Sequence, residues 1–217
     1  MKTSEFLAKN ALLFSDISQN EIATMLKCLE AAEFDYIKGR TILHRGEPFE
    51  KIGVVLSGTL LITREDEIGN LFVLTQVSRG QIFGMSFAGG FNTDIGISAG
   101  TDARVLIIKT ERIFNPCCKN CQCHKKLLSN LFTCMAKKNV ELTRKVYHIS
   151  QRTLRRKVMS YLTEQMELCG RSTFDIPLDR QQMADYLACD RSALSAELAR
   201  MKRAGIIDFQ KNRFTVL

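Results

Sequence analysis

The forty residues Leu178–Leu217, LDRQQMADYLACDRSALSAELARMKRAGIIDFQKNRFTVL, decide how the chain is built. Asp179 with Gln182 three residues on makes a capping-box-like start. The helix it opens, Arg180–Leu187, presents Met183, Ala184 and Leu187 inward. A turn of Ala188-Cys189-Asp190 follows, and Asp190 caps a second helix that runs to about Arg203. Leu194, Leu198 and Met201 stand at i, i+4 and i+7, one buried stripe. Ala204-Gly205 ends the helix. Ile206–Phe209, a polar turn at Gln210–Arg213, and Phe214–Leu217 then form a small hairpin. Two helices joined by three residues, with small Ala184 and Ala188 where they cross, give helix-turn-helix geometry. The hairpin makes it winged.

The buried stripe also fixes what faces outward. Arg191, Ser192, Ser195 and Ala196 project from the first turns of the second helix, the end that enters a major groove in this motif. An arginine fork can bond guanine bidentately, and serine hydroxyls reach base edges or phosphates. Arg180, Gln181, Lys202 and Arg203 flank the face and are expected at backbone phosphates. The competing reading is a helical hairpin that docks a protein. Charge favours DNA: residues 1–118 carry 12 basic and 14 acidic side chains, net −2, whereas residues 119–149 are +6 and residues 150–217 are +4. The surplus that makes the chain +8 lies entirely in its last 99 residues. A polyanion partner is expected for that half only.

Upstream of the winged motif, Thr153–Cys169 reads as a helix with Leu154, Val158, Tyr161 and Leu162 inward and Gly170 as its C-cap. Before it, Leu128, Leu131, Met135, Leu142, Val146 and Ile149 follow a rough 3–4 spacing over Cys123–Ile149. A helix this long and basic, with one apolar seam, pairs that seam with a second subunit or packs it on its own sheet. Farther back, Phe34–Lys109 is cut by glycine into short apolar runs: Thr41–Leu43, Ile52–Leu56, Thr59–Thr63, Leu71–Val77 and Arg104–Ile108. Such punctuation predicts an antiparallel sandwich, barrel or roll. Ser18, with Glu21 three residues on, opens a helix expected to reach Ala32. The fold class is α+β, in three parts: 1–122, 123–149 and 150–217.

This order of modules resembles the Crp/Fnr family of bacterial transcription regulators. Ile42–Gly46, Val54–Gly58 and Gly80–Gly84 match its β-roll, the long helix its dimerisation helix, and Cys189–Met201 its DNA-reading segment. The resemblance implies a cyclic-nucleotide-binding-like sensor roll, a homodimer, a palindromic operator in double-stranded DNA and contact with RNA polymerase. It also marks Arg191, Ser192 and Ala196 as base-contacting positions. The family often has Glu and Arg at the last two, so the preferred half-site is expected to differ here.

The same resemblance implies where an effector would sit: Gly84, Met85, Ser86, Ile95 and Gly96, closed in part by the long helix near Leu142. Nucleotide-binding members carry Gly-Glu-Leu and then Arg-Ser or Arg-Thr at these two places. Here they read Gly84-Met85-Ser86 and Ile95-Gly96, and Asp94 is the only charged residue between Gly84 and Gly100. A buried phosphodiester needs a cation or aligned N–H donors, so cyclic AMP is not the expected ligand. An altered pocket for a less charged effector and a collapsed, ligand-free loop both remain open.

Four cysteines fall within seven residues, Cys117, Cys118, Cys121 and Cys123, followed by His124. On a helix, Cys117, Cys121 and His124 could share a face and hold zinc, an iron–sulfur cluster or a redox pair. The alternative function is thus a metal- or redox-responsive regulator using Cys117–His124. The competing reading makes these thiols packing residues with no metal and no cofactor. No nucleophile motif, P-loop or HExxH is present, so no enzyme is expected. No apolar run exceeds four residues, far short of the ~20 that span a bilayer. Met1–Lys9 has no signal-peptide core. A cytoplasmic protein with no membrane partner is expected.

Overall fold

A computed structural model of the chain describes residues 2–65, 68, 71–85, 94–115 and 122–217. It divides into two compact units, residues 1–136 and 137–217. The longest helix contributes to both.

The first unit is a roll of two four-stranded antiparallel sheets. β1 (Ala32–Tyr36), β8 (Ala103–Lys109), β3 (Lys51–Ser57) and β6 (Ile82–Phe83) form one, in that order. β2 (Thr41–Leu43), β7 (Ile95–Ala99), β4 (Thr59–Glu65) and β5 (Leu71–Ser78) form the other. Each of the five apolar runs read from the sequence lies within a strand. The run Val105–Ile108 is unbroken because β8 is buried on both faces. Val105 and Ile107 point between the sheets with Val55, Leu60 and Ile97. Leu106 and Ile108 point the other way and join Ile52, Val54 and Leu56 of β3.

That second face is roofed by helices: α1 (Thr3–Asn10), α2 (Gln19–Cys28), α3 (Thr110–Phe114) and the start of α4 (Gln122–Ile149). The glycines that cut the runs are geometric necessities at some turns. Gly58 has φ +74°, and a Cβ there would lie 2.1 Å from the Asp102 carbonyl oxygen.

Two expectations are corrected. The Ser18 capping box forms, but α2 stops at Cys28 rather than Ala32. Leu29 caps it, Glu30 takes φ +49°, and Ala32 already pairs with Ile107 in β1. No glycine or proline announced that stop. The expected seam on the long helix also divides. Leu131 is buried, with Leu127 and Cys134, and Leu128 packs on the same cluster, because the roll needs this stretch as part of its roof. Phe132, Met135, Leu142 and Val146 stay exposed.

The second unit holds the end of α4, α5 (Leu154–Cys169), β9 (Thr173–Asp175), α6 (Arg180–Tyr186), α7 (Arg191–Arg203), β10 (Ile207–Gln210) and β11 (Arg213–Val216). Gly170 caps α5 in the left-handed region at φ +65°. β11 pairs antiparallel with both β10 and β9, so the wing is three-stranded rather than a lone hairpin. Val158, Tyr161, Leu162, Phe174, Met183, Leu194, Leu198, Met201 and Phe214 make one core. No described helix is long and apolar enough to cross a membrane.

Candidate nucleic-acid interface

The site is built by the inner side of α7. Leu194, Leu198 and Met201 are fully buried, and Glu197 joins them at 7% exposure. A carboxylate this buried needs partners. Arg155 of α5 donates from Nε at 2.8 Å, and Arg200 lies 3.2 Å away. With that side committed, Arg191, Ser192, Ser195 and Ala196 share the exposed face, as their spacing predicted.

The turn before α7 is held from three directions. Cys189 N donates to Ala184 O at 3.0 Å, closing α6. Lys157 of α5 reaches across, its Nζ donating to Leu187 O at 3.2 Å and Ala188 O at 3.4 Å. Asp190 then accepts the backbone N–H of Ser192 at 2.7 Å and of Ala193 at 3.0 Å. These bonds, led by one from the Ser192 hydroxyl, hold the Asp190 carboxyl below the usual carboxylate range.

Ala188 sits in this turn at φ +49° and is exposed. An L-residue there carries about 1–2 kcal/mol of steric cost, and glycine gives back about 0.4–1 through the unfolded chain. Ala188→Gly should therefore stabilise the second unit by about 0.5–1 kcal/mol, several degrees in Tm, as calorimetry will read. No gain would mean the turn has relaxed around the methyl group.

Two of the residues expected at phosphates are also tied to the wing. Arg180 lies against the wing, its guanidinium 4.9 and 5.0 Å from the rings of Phe209 and Phe214, and it donates to Lys211 O at 2.9 Å. Burial lowers its pKa. Lys202 likewise turns to the wing, paired with Asp208 and donating to Phe209 O at 3.3 Å. Both long cations find an aromatic platform and acceptors in β10–β11, which a reading of α6 and α7 alone does not show. Gln181 is exposed, its amide donating to Asp185 at 2.8 Å, and Arg203 is exposed.

The wing turn supplies what the sequence reading left unassigned. Lys211 and Arg213 flank it, and with Gln181, Asn212 and Arg191 they line an open cleft between the wing and the head of α7. The polar turn at Gln210–Arg213 was the available signal.

The proposed effector residues are placed less tightly. Gly84 has φ +87° after β6, Met85 packs on the roof cluster, and Ile95 and Gly96 lie in β7 opposite Arg64 and Thr63. Asp94 pairs with Arg45 at 3.4 Å. Leu142 is exposed and belongs to the second unit. Ser86 lies outside the described residues.

Of the metal candidates, Cys117 and Cys121 also lie outside them, as does Cys118. Cys123 donates to Glu21 at 3.4 Å, and His124 is buried with neither ring nitrogen hydrogen-bonded. Among the described residues no group of three His, Cys, Asp or Glu side chains could hold a metal ion.

Two family models match the chain: the Crp-like helix-turn-helix domain over residues 156–217 and the cyclic nucleotide-binding domain over residues 33–119. The transcriptional activator protein FnrL of Cereibacter sphaeroides is 22% identical over 192 residues, spanning 84% of this chain and 75% of that protein. Among solved structures, CprK complexed with OCPA is similar at TM-score 0.69 and 16% identity over 90% of each chain. The catabolite activator protein of Thermus thermophilus is similar at TM-score 0.51 and 18% identity, covering 95% of this chain and 94% of that one.

Proposed function

Since the chain belongs to the Crp/Fnr family and is a DNA-binding transcription regulator of that type, we propose that it acts in the cytoplasm as a homodimer on a palindromic operator. An effector other than cyclic AMP would control it, and RNA polymerase would be its further partner. The observation that carries this reading is the exposed head of α7, where Arg191, Ser192, Ser195 and Ala196 stand together beside a cleft edged by Lys211 and Arg213. Lysine and arginine at the rim supply counterion release, and the short side chains at the centre let the helix approach the bases.

Dimerisation rests on the exposed stripe of α4. Phe132, Met135, Asn139, Leu142 and Val146 recur at spacings of 3 and 4, the pattern of a two-helix seam. A two-fold pair suits an operator whose half-site centres lie ~34 Å apart. Leu142→Glu with Val146→Glu should shift sedimentation from dimer to monomer and remove tight operator binding. A dimer that persists would place the interface elsewhere.

The case against cyclic AMP is chemical: the stretch Gly84–Gly100 offers no lysine or arginine to a phosphodiester. The whole reading is tested by a salt titration of duplex binding. Neutralising 6–10 phosphates costs about 10³–10⁵ in affinity between 50 and 200 mM salt. A protein-docking hairpin would show no such slope.

A further inference from the structure

We propose that Ser192 works only as a hydrogen-bond acceptor and so selects a base with an amino group, adenine through N6 or cytosine through N4, at its step of each half-site. This rests on the reading of α7 as the helix that enters the major groove.

The argument is a proton count. Ser192 Oγ lies 2.5 Å from Asp190 Oδ1. A hydroxyl has one proton, and an ionised carboxylate has none to offer. Asp190 is kept ionised by this bond and by the two backbone N–H groups it caps. The Ser192 proton therefore points back into the cap, and its lone pairs remain for whatever the exposed turn meets. In the major groove guanine presents N7 and O6 and thymine presents O4, all acceptors, while adenine N6 and cytosine N4 donate. Lone pairs meeting lone pairs reject the first two.

Turning the hydroxyl outward to serve guanine or thymine would break a charge-assisted bond, roughly twice as strong as a neutral one. Ser195 is under no such constraint. Its Oγ donates to Arg191 O at 2.9 Å, a neutral carbonyl in the helix ladder, and that bond is released at less cost. Asp190 is thus a positioning residue, and Ser192 alone carries the selection.

The test is selection of bound duplexes from a random pool by the whole chain, with Ser192→Ala, Asp190→Asn and Asp190→Ala alongside. The wild type is expected to enrich adenine or cytosine at one half-site position by about 5- to 100-fold. Ser192→Ala should flatten that position and leave the guanine read by Arg191. Asp190→Asn keeps an amide oxygen as acceptor and should keep the preference. Asp190→Ala frees the proton and should admit guanine or thymine at the same position. An operator carrying purine in place of adenine, or pyrimidin-2-one in place of cytosine, should weaken wild-type binding about 5- to 100-fold and leave Ser192→Ala unchanged.

Guanine or thymine at the position that Ser192→Ala flattens would overturn the proposal, as would a Ser192→Ala preference identical to wild type. Loss of sequence preference in the wild type itself would overturn the major-groove reading, a separate failure with a separate signature.

Discussion

Arg191→Ala is expected to weaken binding to the selected operator by about 1–3 kcal/mol per half-site, 5- to 150-fold, while affinity for random duplex changes less than about twofold. The asymmetry follows from where the residue stands. Arg191 is the first residue of α7, exposed, and its backbone is fixed by the Asp190 cap on one side and the buried stripe on the other. On the proposed reading, a guanidinium held there would meet O6 and N7 of guanine with two parallel donors, an interaction that random sequence offers only by chance.

A phosphate contact behaves differently. It contributes equally on every sequence and adds about one to the salt slope. Arg213→Ala, at the rim of the wing, is the natural comparison: it should weaken specific and random binding together and flatten the slope. Filter binding or anisotropy across 50–200 mM salt separates the two signatures. Equal losses for Arg191→Ala on both DNAs would move that residue from the bases to the backbone.

The parts of the fold and of this interface that were legible in the sequence are those set by local rules. Capping boxes at Ser18 and Asp179, the Asp190 cap and the Gly170 C-cap all form as spaced. So does the stripe Leu194–Leu198–Met201, because helical period alone decides which side chains are buried together. The seam on α4 was read only in part, since a 3–4 stripe says that a face is apolar without saying what covers it. Leu131 went to the roll and Leu142 did not.

The partners that Arg180 and Lys202 take in the wing were hidden for a related reason. A long cation on a helix surface is free to choose its partner, and here Phe209, Phe214 and Asp208 in the wing outcompeted open solvent. Nothing in the spacing of α6 and α7 encodes that choice. The stop of α2 at Cys28 was hidden too, since a non-glycine residue, Glu30, took the left-handed position.

His148→Phe is expected to cost the second unit about 1–3 kcal/mol, because it takes a hydrogen-bond donor away from a largely buried carboxylate. Spacing along the chain names no partner for His148. The structure buries it to 2% exposure at the end of α4, between two groups of α5. Nδ1 lies 3.0 Å from Ser160 Oγ, and Nε2 lies 2.6 Å from Glu164 Oε2. The Glu164 carboxylate can only accept, so Nε2 carries the hydrogen of that bond. The Ser160 hydroxyl lies within reach of both Nδ1 and Lys157 O, the latter at 2.9 Å.

Aromatic rings pack around the imidazole. Tyr147, Tyr161 and Tyr186 enclose it with ring centroids 5.8–6.1 Å away, and Arg144 takes the other Glu164 oxygen at 3.0 Å. Phenylalanine fills the space but leaves Glu164, only 18% exposed, with Arg144 alone. Adding Glu164→Leu removes the stranded carboxylate, so the double variant should recover most of the loss, as buried pairs replaced by apolar residues commonly do. Denaturant melts of the four proteins in the cycle give the coupling directly. Losses that simply add would mean that the pair contributes no coupling, and that His148 holds the end of α4 through its shape alone.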